Sequence, residues 1–85
     1  MQAVFTTAAE RDLRQLDHTI ASRVMRKILW LAADGESISH EPLSWQWRGF
    51  YKLRVGDWRI IYQLDYAREQ LIVEFVGHRS RVYKQ

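Results

Sequence analysis

Eighty-five residues, 47% of them hydrophobic and including four Trp, four Tyr and three Phe, suffice for one small packed domain and exclude a disordered chain. The absence of cysteine excludes disulfides and thiolate metal sites, and no apolar run approaches the ~18 residues of a membrane span. The formal charge is +3 but uneven: residues 1–47 carry five Lys/Arg against six Asp/Glu, and residues 48–85 carry eight against four.

Met1–Phe5 reads as an opening strand, with neither the charged start nor the long apolar run of a signal peptide. Thr7-Ala8-Ala9-Glu10 fits a capping box, which predicts a helix from about Ala8 to Leu16 with Leu13 and Leu16 facing inward. Asp17 is a second N-cap. After it Ile20, Val24, Ile28 and Leu31 recur at helical spacing, the stripe of a core-facing helix. Gly35 stands where a left-handed C-cap residue belongs. Two helices joined this tightly form an antiparallel hairpin. Residues 35–47 hold Gly, Ser, His and the single Pro, and read as a loop whose Trp45 and Trp47 pin it to the body.

From Phe50 the period changes to two. Tyr51, Leu53 and Val55 alternate with Lys52 and Arg54; after Gly56-Asp57, Trp58, Ile60, Tyr62 and Leu64 alternate with Arg59, Ile61 and Gln63. Gly-Asp between such runs predicts a two-residue hairpin turn. The register then sets Val55 against Trp58, Arg54 against Arg59 and Lys52 against Ile61. One face carries Tyr51, Leu53, Val55, Trp58, Ile60 and Tyr62, fit to cover the helices. The other gathers Lys52, Arg54 and Arg59. A third strand, Leu71 to Val76, closes a three-stranded antiparallel meander and is expected to set Glu74 opposite Ile61, on the basic face. The reading is one α+β domain over residues 1–85: N-terminal strand, two-helix hairpin, meander.

Like charges directly opposite across two strands cost up to about 1 kcal/mol, so Arg54 against Arg59 beside Lys52 is a tolerated cost, explained either by function at this face or by an offsetting charge, for which Glu74 is available. The tail adds His78, Arg79, Arg81, Tyr83 and Lys84 after the last strand, at the rim of that face. Arginine matches phosphate with a planar fork of donors, and a tyrosine can stack on an unpaired base. The alternative is an ordinary solvated surface, with Glu74 in a plain salt bridge. His18, His40 and His78 lack metal-ligand spacing, and neither a phosphate loop nor a nucleophile elbow occurs.

Phe50-Tyr51-Lys52-Leu53-Arg54-Val55-Gly56-Asp57-Trp58-Arg59-Ile60-Ile61-Tyr62, followed by Val76-Gly77-His78-Arg79-Ser80-Arg81-Val82-Tyr83, resembles the RelE/ParE superfamily of type II toxins. The resemblance implies a RelE-like fold and, in the RelE-like branch, a cytoplasmic endoribonuclease that cuts mRNA in the ribosomal A site. There the 2′-hydroxyl attacks the adjacent phosphorus, leaving a 2′,3′-cyclic phosphate and a 5′-hydroxyl. It implies catalytic roles for Lys52, Arg54, Arg59, Arg79 and Tyr83. Lys52 takes the proton, Arg54 supplies charge because arginine rarely gives up its own proton, Arg59 and Arg79 stabilise the phosphorane, and Tyr83 orients the nucleotide. Lys52, Arg54, His78, Arg81 and Lys84 are the implied RNA contacts. The implied partners are a RelB-like antitoxin, mRNA and the ribosome; no metal, cofactor or membrane is expected. The tail departs from several RelE-like toxins, whose tyrosine sits on a longer C-terminal helix. ParE-like members share the fold and poison DNA gyrase without cutting RNA, and a catalytically inactive antitoxin-binding module is the remaining alternative.

Overall fold

The computed structural model describes residues 1–84. The elements are β1 (Gln2–Phe5), α1 (Thr7–Gln15), α2 (His18–Ala33), β2 (Glu41–Pro42), β3 (Tyr51–Val55), β4 (Trp58–Asp65) and β5 (Gln70–His78), with single 3₁₀ turns at Trp45–Trp47 and Val82–Lys84. One five-stranded sheet runs in the order β1-β5-β4-β3-β2, with β1 parallel to β5 and the other pairs antiparallel. Among the described residues no helix is long and apolar enough to cross a membrane.

The helices begin at side-chain caps. Asp17 caps α2, accepting from the Ile20 amide at 3.0 Å. At α1 the cap is Thr6, one residue earlier than the expected Thr7. Its hydroxyl accepts from the Ala9 amide at 3.1 Å and donates to the Glu74 carbonyl at 2.8 Å, a tertiary bond that outweighs the local capping box. Glu10, freed from that box, lies 3.9 Å from Arg14. Gly35 is also not the left-handed residue expected, since positive φ among glycines occurs at Gly49 and Gly56. It is glycine for space: a Cβ there would stand 3.1 Å from the Leu31 carbonyl oxygen.

Val24, Ile28 and Leu31 of α2 are fully buried against Ile60, Tyr62, Leu71, Val73 and Val76, and Tyr51, Leu53, Trp58, Leu13 and Leu16 pack around them. At roughly 25 cal/mol per Å², burial of such side chains is the main stabilising term, about 1.5–3 kcal/mol for each large aliphatic one. The hairpin register is the one read from sequence: Val55 pairs with Trp58, Arg54 with Arg59 and Lys52 with Ile61. The meander gains two outer strands, β1 at one edge and the two-residue β2 at the other.

The β4–β5 ladder corrects one placement. Asp65 pairs with Gln70 and Tyr62 with Val73, but a bulge follows and Phe75, not Glu74, faces Ile61. Val73 and Val76 both enter the core, so the two residues between them fall to the opposite, outer face. That puts Phe75 where a surface residue was expected and starts a second apolar cluster. Ile61 is fully buried there, and Trp47 packs edge-on to Phe50, Phe75 and Tyr83 at centroid distances of 5.6, 5.8 and 6.5 Å. Trp47 therefore pins the loop as expected. Trp45 does not: it is 88% exposed.

Candidate functional site, a cationic face on the sheet

Lys52, Arg54 and Arg59 come together on the outer face because the two-residue turn at Gly56-Asp57 fixes their strands in register. Gly56, at φ +60°, supplies the left-handed backbone that such a turn requires. The expected Arg54–Arg59 repulsion is relieved by divergence. The Arg59 guanidinium turns onto the hairpin and donates to the carbonyls of Gly56 at 2.9 Å and Trp58 at 2.8 Å. Arg54 reaches the other way, its Nη2 3.8 Å from Glu41 Oε2.

Glu41 is the residue that sequence reading missed. It pairs with Lys52 across β2 and β3, and its Oε2 lies 3.0 Å from Lys52 Nζ. The hydrogen bond from Lys52, with the nearby charges of Arg54 and Arg59, holds the Glu41 carboxyl below its ordinary range. Glu41 thus takes the offsetting role expected of Glu74, whose carboxylate forms no ion pair among the described residues. Burial instead pushes the Glu74 carboxyl up. No local pattern marks Glu41: it lies in a loop-like stretch, eleven positions before its partner.

The next residue, His40, fastens this edge. Its Nδ1 lies 2.7 Å from the Tyr62 hydroxyl and its Nε2 2.7 Å from the Gly35 carbonyl oxygen. A carbonyl only accepts, so Nε2 carries the proton and Nδ1 accepts from Tyr62. Burial raises the pKa of the Tyr62 phenol, which remains a donor.

The tail residues divide. The Arg79 amide donates to the Asp57 carbonyl at 2.8 Å and its Nε stands 3.6 Å from Asp57 Oδ1, so Arg79 joins Arg59 at the hairpin turn. Val82 folds onto the outer face over Gly77, where a Cβ would stand 3.3 Å from the Val82 Cβ. That delivers Tyr83 to the aromatic cluster, with its hydroxyl buried and without a hydrogen-bond partner among the described residues. Lys84, in the same turn, is exposed.

His78 and Arg81 are not brought to this face. His78 pairs with Trp58, whose side chain belongs to the helix side, and the two rings meet edge-on at 5.5 Å. Arg81 lines a cleft of about 290 Å³ with Trp58, His78 and Asp12, Gln15 and Leu16 of α1. Trp58 is accordingly half-buried at the margin of the core rather than central to it. The tail crosses the sheet margin between Arg79 and Val82, and its residues part to the two faces.

The comparisons with known proteins agree with this architecture. Residues 3–83 match the family described as the ParE toxin of the type II toxin-antitoxin system parDE. Toxin RelG of Mycobacterium tuberculosis is 27% identical over 81 residues, covering 95% of this chain and 93% of the relative. A chain in the crystal structure of the RelBE2 toxin-antitoxin complex from the same organism superposes with a TM-score of 0.82 at 28% identity, covering 92% of this chain and 96% of that one. The isolated E. coli RelE toxin shares the fold at a TM-score of 0.77 and 21% identity, covering 98% of this chain and 90% of that one. With a family match over nearly its whole length and the two-helix, antiparallel-meander architecture of RelE, the chain belongs to the ParE toxin family within the RelE/ParE group of type II toxin-antitoxin toxins.

Proposed function

We propose that this toxin is a metal-independent endoribonuclease of the RelE type that cuts mRNA, in the ribosomal A site, on the outer face of its sheet. One observation carries the reading: Lys52 and Arg54 share that face around the Glu41 carboxylate, with Arg59 and Arg79 at the adjoining turn. A phosphodiester entering here replaces Glu41 as the anion between Lys52 and Arg54. Arg59 and Arg79, held at the turn, face the charge that grows on the non-bridging oxygens as O2′ attacks phosphorus and the bond to O5′ breaks. The proton leaving the 2′-hydroxyl passes by way of Lys52 to the departing O5′, which leaves as a hydroxyl. Tyr83, with an unpartnered hydroxyl under Trp47, orients the nucleotide when the Trp47 loop yields. Lys84 guides the incoming backbone, whereas His78 and Arg81, on the helix side, serve RNA outside the scissile linkage. A RelB-like antitoxin, the partner in the RelBE complexes this chain resembles, holds the toxin silent in the cytoplasm.

The test is cleavage mapping by primer extension in a translating extract. Arg59→Ala and Arg79→Ala each reduce cutting by on the order of 10²–10³. Unaltered cutting by both variants overturns the assignment. The family match to ParE favours a second reading, gyrase inhibition. Loss of supercoiling in a purified gyrase assay while mRNA stays intact would establish it instead.

A further inference from the structure

A second cationic site lies outside the face just described. Arg23, Arg26, Lys27 and Trp30 stand at i, i+3, i+4 and i+7 of α2, one stripe beside the buried Val24–Ile28–Leu31 stripe. With Arg54, Val55 and Gly56 they line a cleft of about 460 Å³ between α2 and the hairpin end of β3. The short β2 pairs with Tyr51 and Lys52 and stops, so the β3 edge is uncovered by strand at Arg54 and Val55. The Arg23 guanidinium comes down over the turn, 3.4 Å from where a Gly56 Cβ would stand, and Lys27 Nζ lies 4.8 Å from the centre of the Trp30 ring.

Among the described residues four cations line this cleft and no carboxylate does. Among the described residues Arg23, Arg26 and Lys27 form no ion pair, and no acidic residue stands four positions from any of them on the helix. Unpaired like charges this close repel, and a bound polyanion removes that cost. A protein partner draws affinity from apolar anchors, but the lining offers just Trp30 and Val55, the latter buried. Guanidinium forks beside a half-exposed indole fit a nucleic-acid strand better, the arginines on phosphates and the indole beside a base. Arg54 belongs to both sites, lining the cleft while its Nη2 lies 3.8 Å from Glu41 Oε2 on the outer face.

We propose that this cleft is a second phosphate-binding site, which grips the backbone of the RNA strand whose scissile linkage lies on the outer face, with the strand passing from one to the other over Arg54. The inference rests on the RNA-cleaving reading.

The experiment uses fluorescence anisotropy with uncleavable 2′-O-methyl RNA of about four and about twelve nucleotides, lengths that bracket one site and a longer track. Wild type is compared with Arg23→Gln/Arg26→Gln, both exposed positions, with circular dichroism verifying the fold of the variant. The variant is expected to bind the longer RNA about tenfold more weakly, with a salt slope shallower by about 1.4, and the shorter one unchanged. Equal affinities for the longer RNA, or equal losses on both lengths, overturn the cleft as a backbone site. So does a twelve-residue poly-Glu peptide that outcompetes RNA on wild type and not on the variant, which would assign the cleft to an acidic protein segment. If Arg59→Ala still reduces mRNA cleavage by on the order of 10²–10³ in such a case, or if wild type binds neither RNA, the cleft alone has failed; unaltered cleavage by that variant means that the outer-face reading has failed too.

Discussion

Glu41 Oε2 stands 3.0 Å from Lys52 Nζ, across a strand pair that includes just two residues of β2. Under the proposed RNA-cleaving function this carboxylate occupies the place that a substrate phosphate would need, and Glu41 would compete with it. Glu41→Gln is expected to tighten binding of an uncleavable RNA up to about fivefold, the range of an exposed ion pair. The Glu41 pKa is lowered, so its pairing is complete above the ordinary carboxylate range and fades as pH falls through the lowered value. Wild type and variant should therefore converge at acid pH. Anisotropy titrations across pH check this; weaker binding by the variant would show that Glu41 assists the RNA.

His40 holds the loop before β2 by accepting from Tyr62 and donating to Gly35. Tyr62 is 1% exposed, so His40→Ala leaves a buried hydroxyl unsatisfied and costs about 1–3 kcal/mol. Adding Tyr62→Phe removes the orphaned group and should recover much of the loss. Urea denaturation of the two single variants and the double variant measures the coupling; additive losses would refute it.

Gly77 is the floor on which the C-terminal turn rests, with Val82 atoms 3.3–3.5 Å from any added Cβ. Gly77→Val should lift the Val82–Lys84 turn at a cost of about 1–3 kcal/mol, typical of overpacking. Because Tyr83 meets Trp47 at 6.5 Å, the displacement should shift Trp emission toward the red and reduce cleavage together. An unchanged spectrum would mean that the turn does not depend on this contact.

Glu74 sits in the bulge with its carboxyl pKa raised by burial. The folded state therefore holds this proton more tightly than the unfolded chain. The resulting stability is full below the unfolded value and is lost as pH rises through the folded one. Glu74→Gln should raise the melting temperature at neutral pH, with the difference vanishing toward pH 4. Melting curves at the two pH values check the sign.

The central hairpin was legible because its signals are local: strict alternation, a Gly-Asp turn, and a register that follows by counting from it. The α2 stripe was legible for the same reason. What escaped reading depends on partners far along the chain. Thr6 caps α1 in place of Thr7 because its hydroxyl meets Glu74, sixty-eight positions away. The β5 bulge adds one residue that no turn count reveals, so the sequence register held as far as Tyr62–Val73 and then slipped to Phe75. β2 is two residues long and contains proline, below any periodic signal, and Glu41 was hidden with it. The basic residues were visible; the carboxylate among them was not. The tail read as one basic group, but its path across the sheet margin sends Arg79 and Tyr83 one way and His78 and Arg81 the other.

The parallel pairing of β1 with β5 joins residues 2–5 to residues 70–73. A growing polypeptide released from its tunnel in order cannot lay down this seam until residues 70–73 have emerged. The helical hairpin then waits, its apolar stripe uncovered, for strands that follow it in the chain. For a type II toxin this leaves an interval in which the uncovered stripe could meet an antitoxin already present.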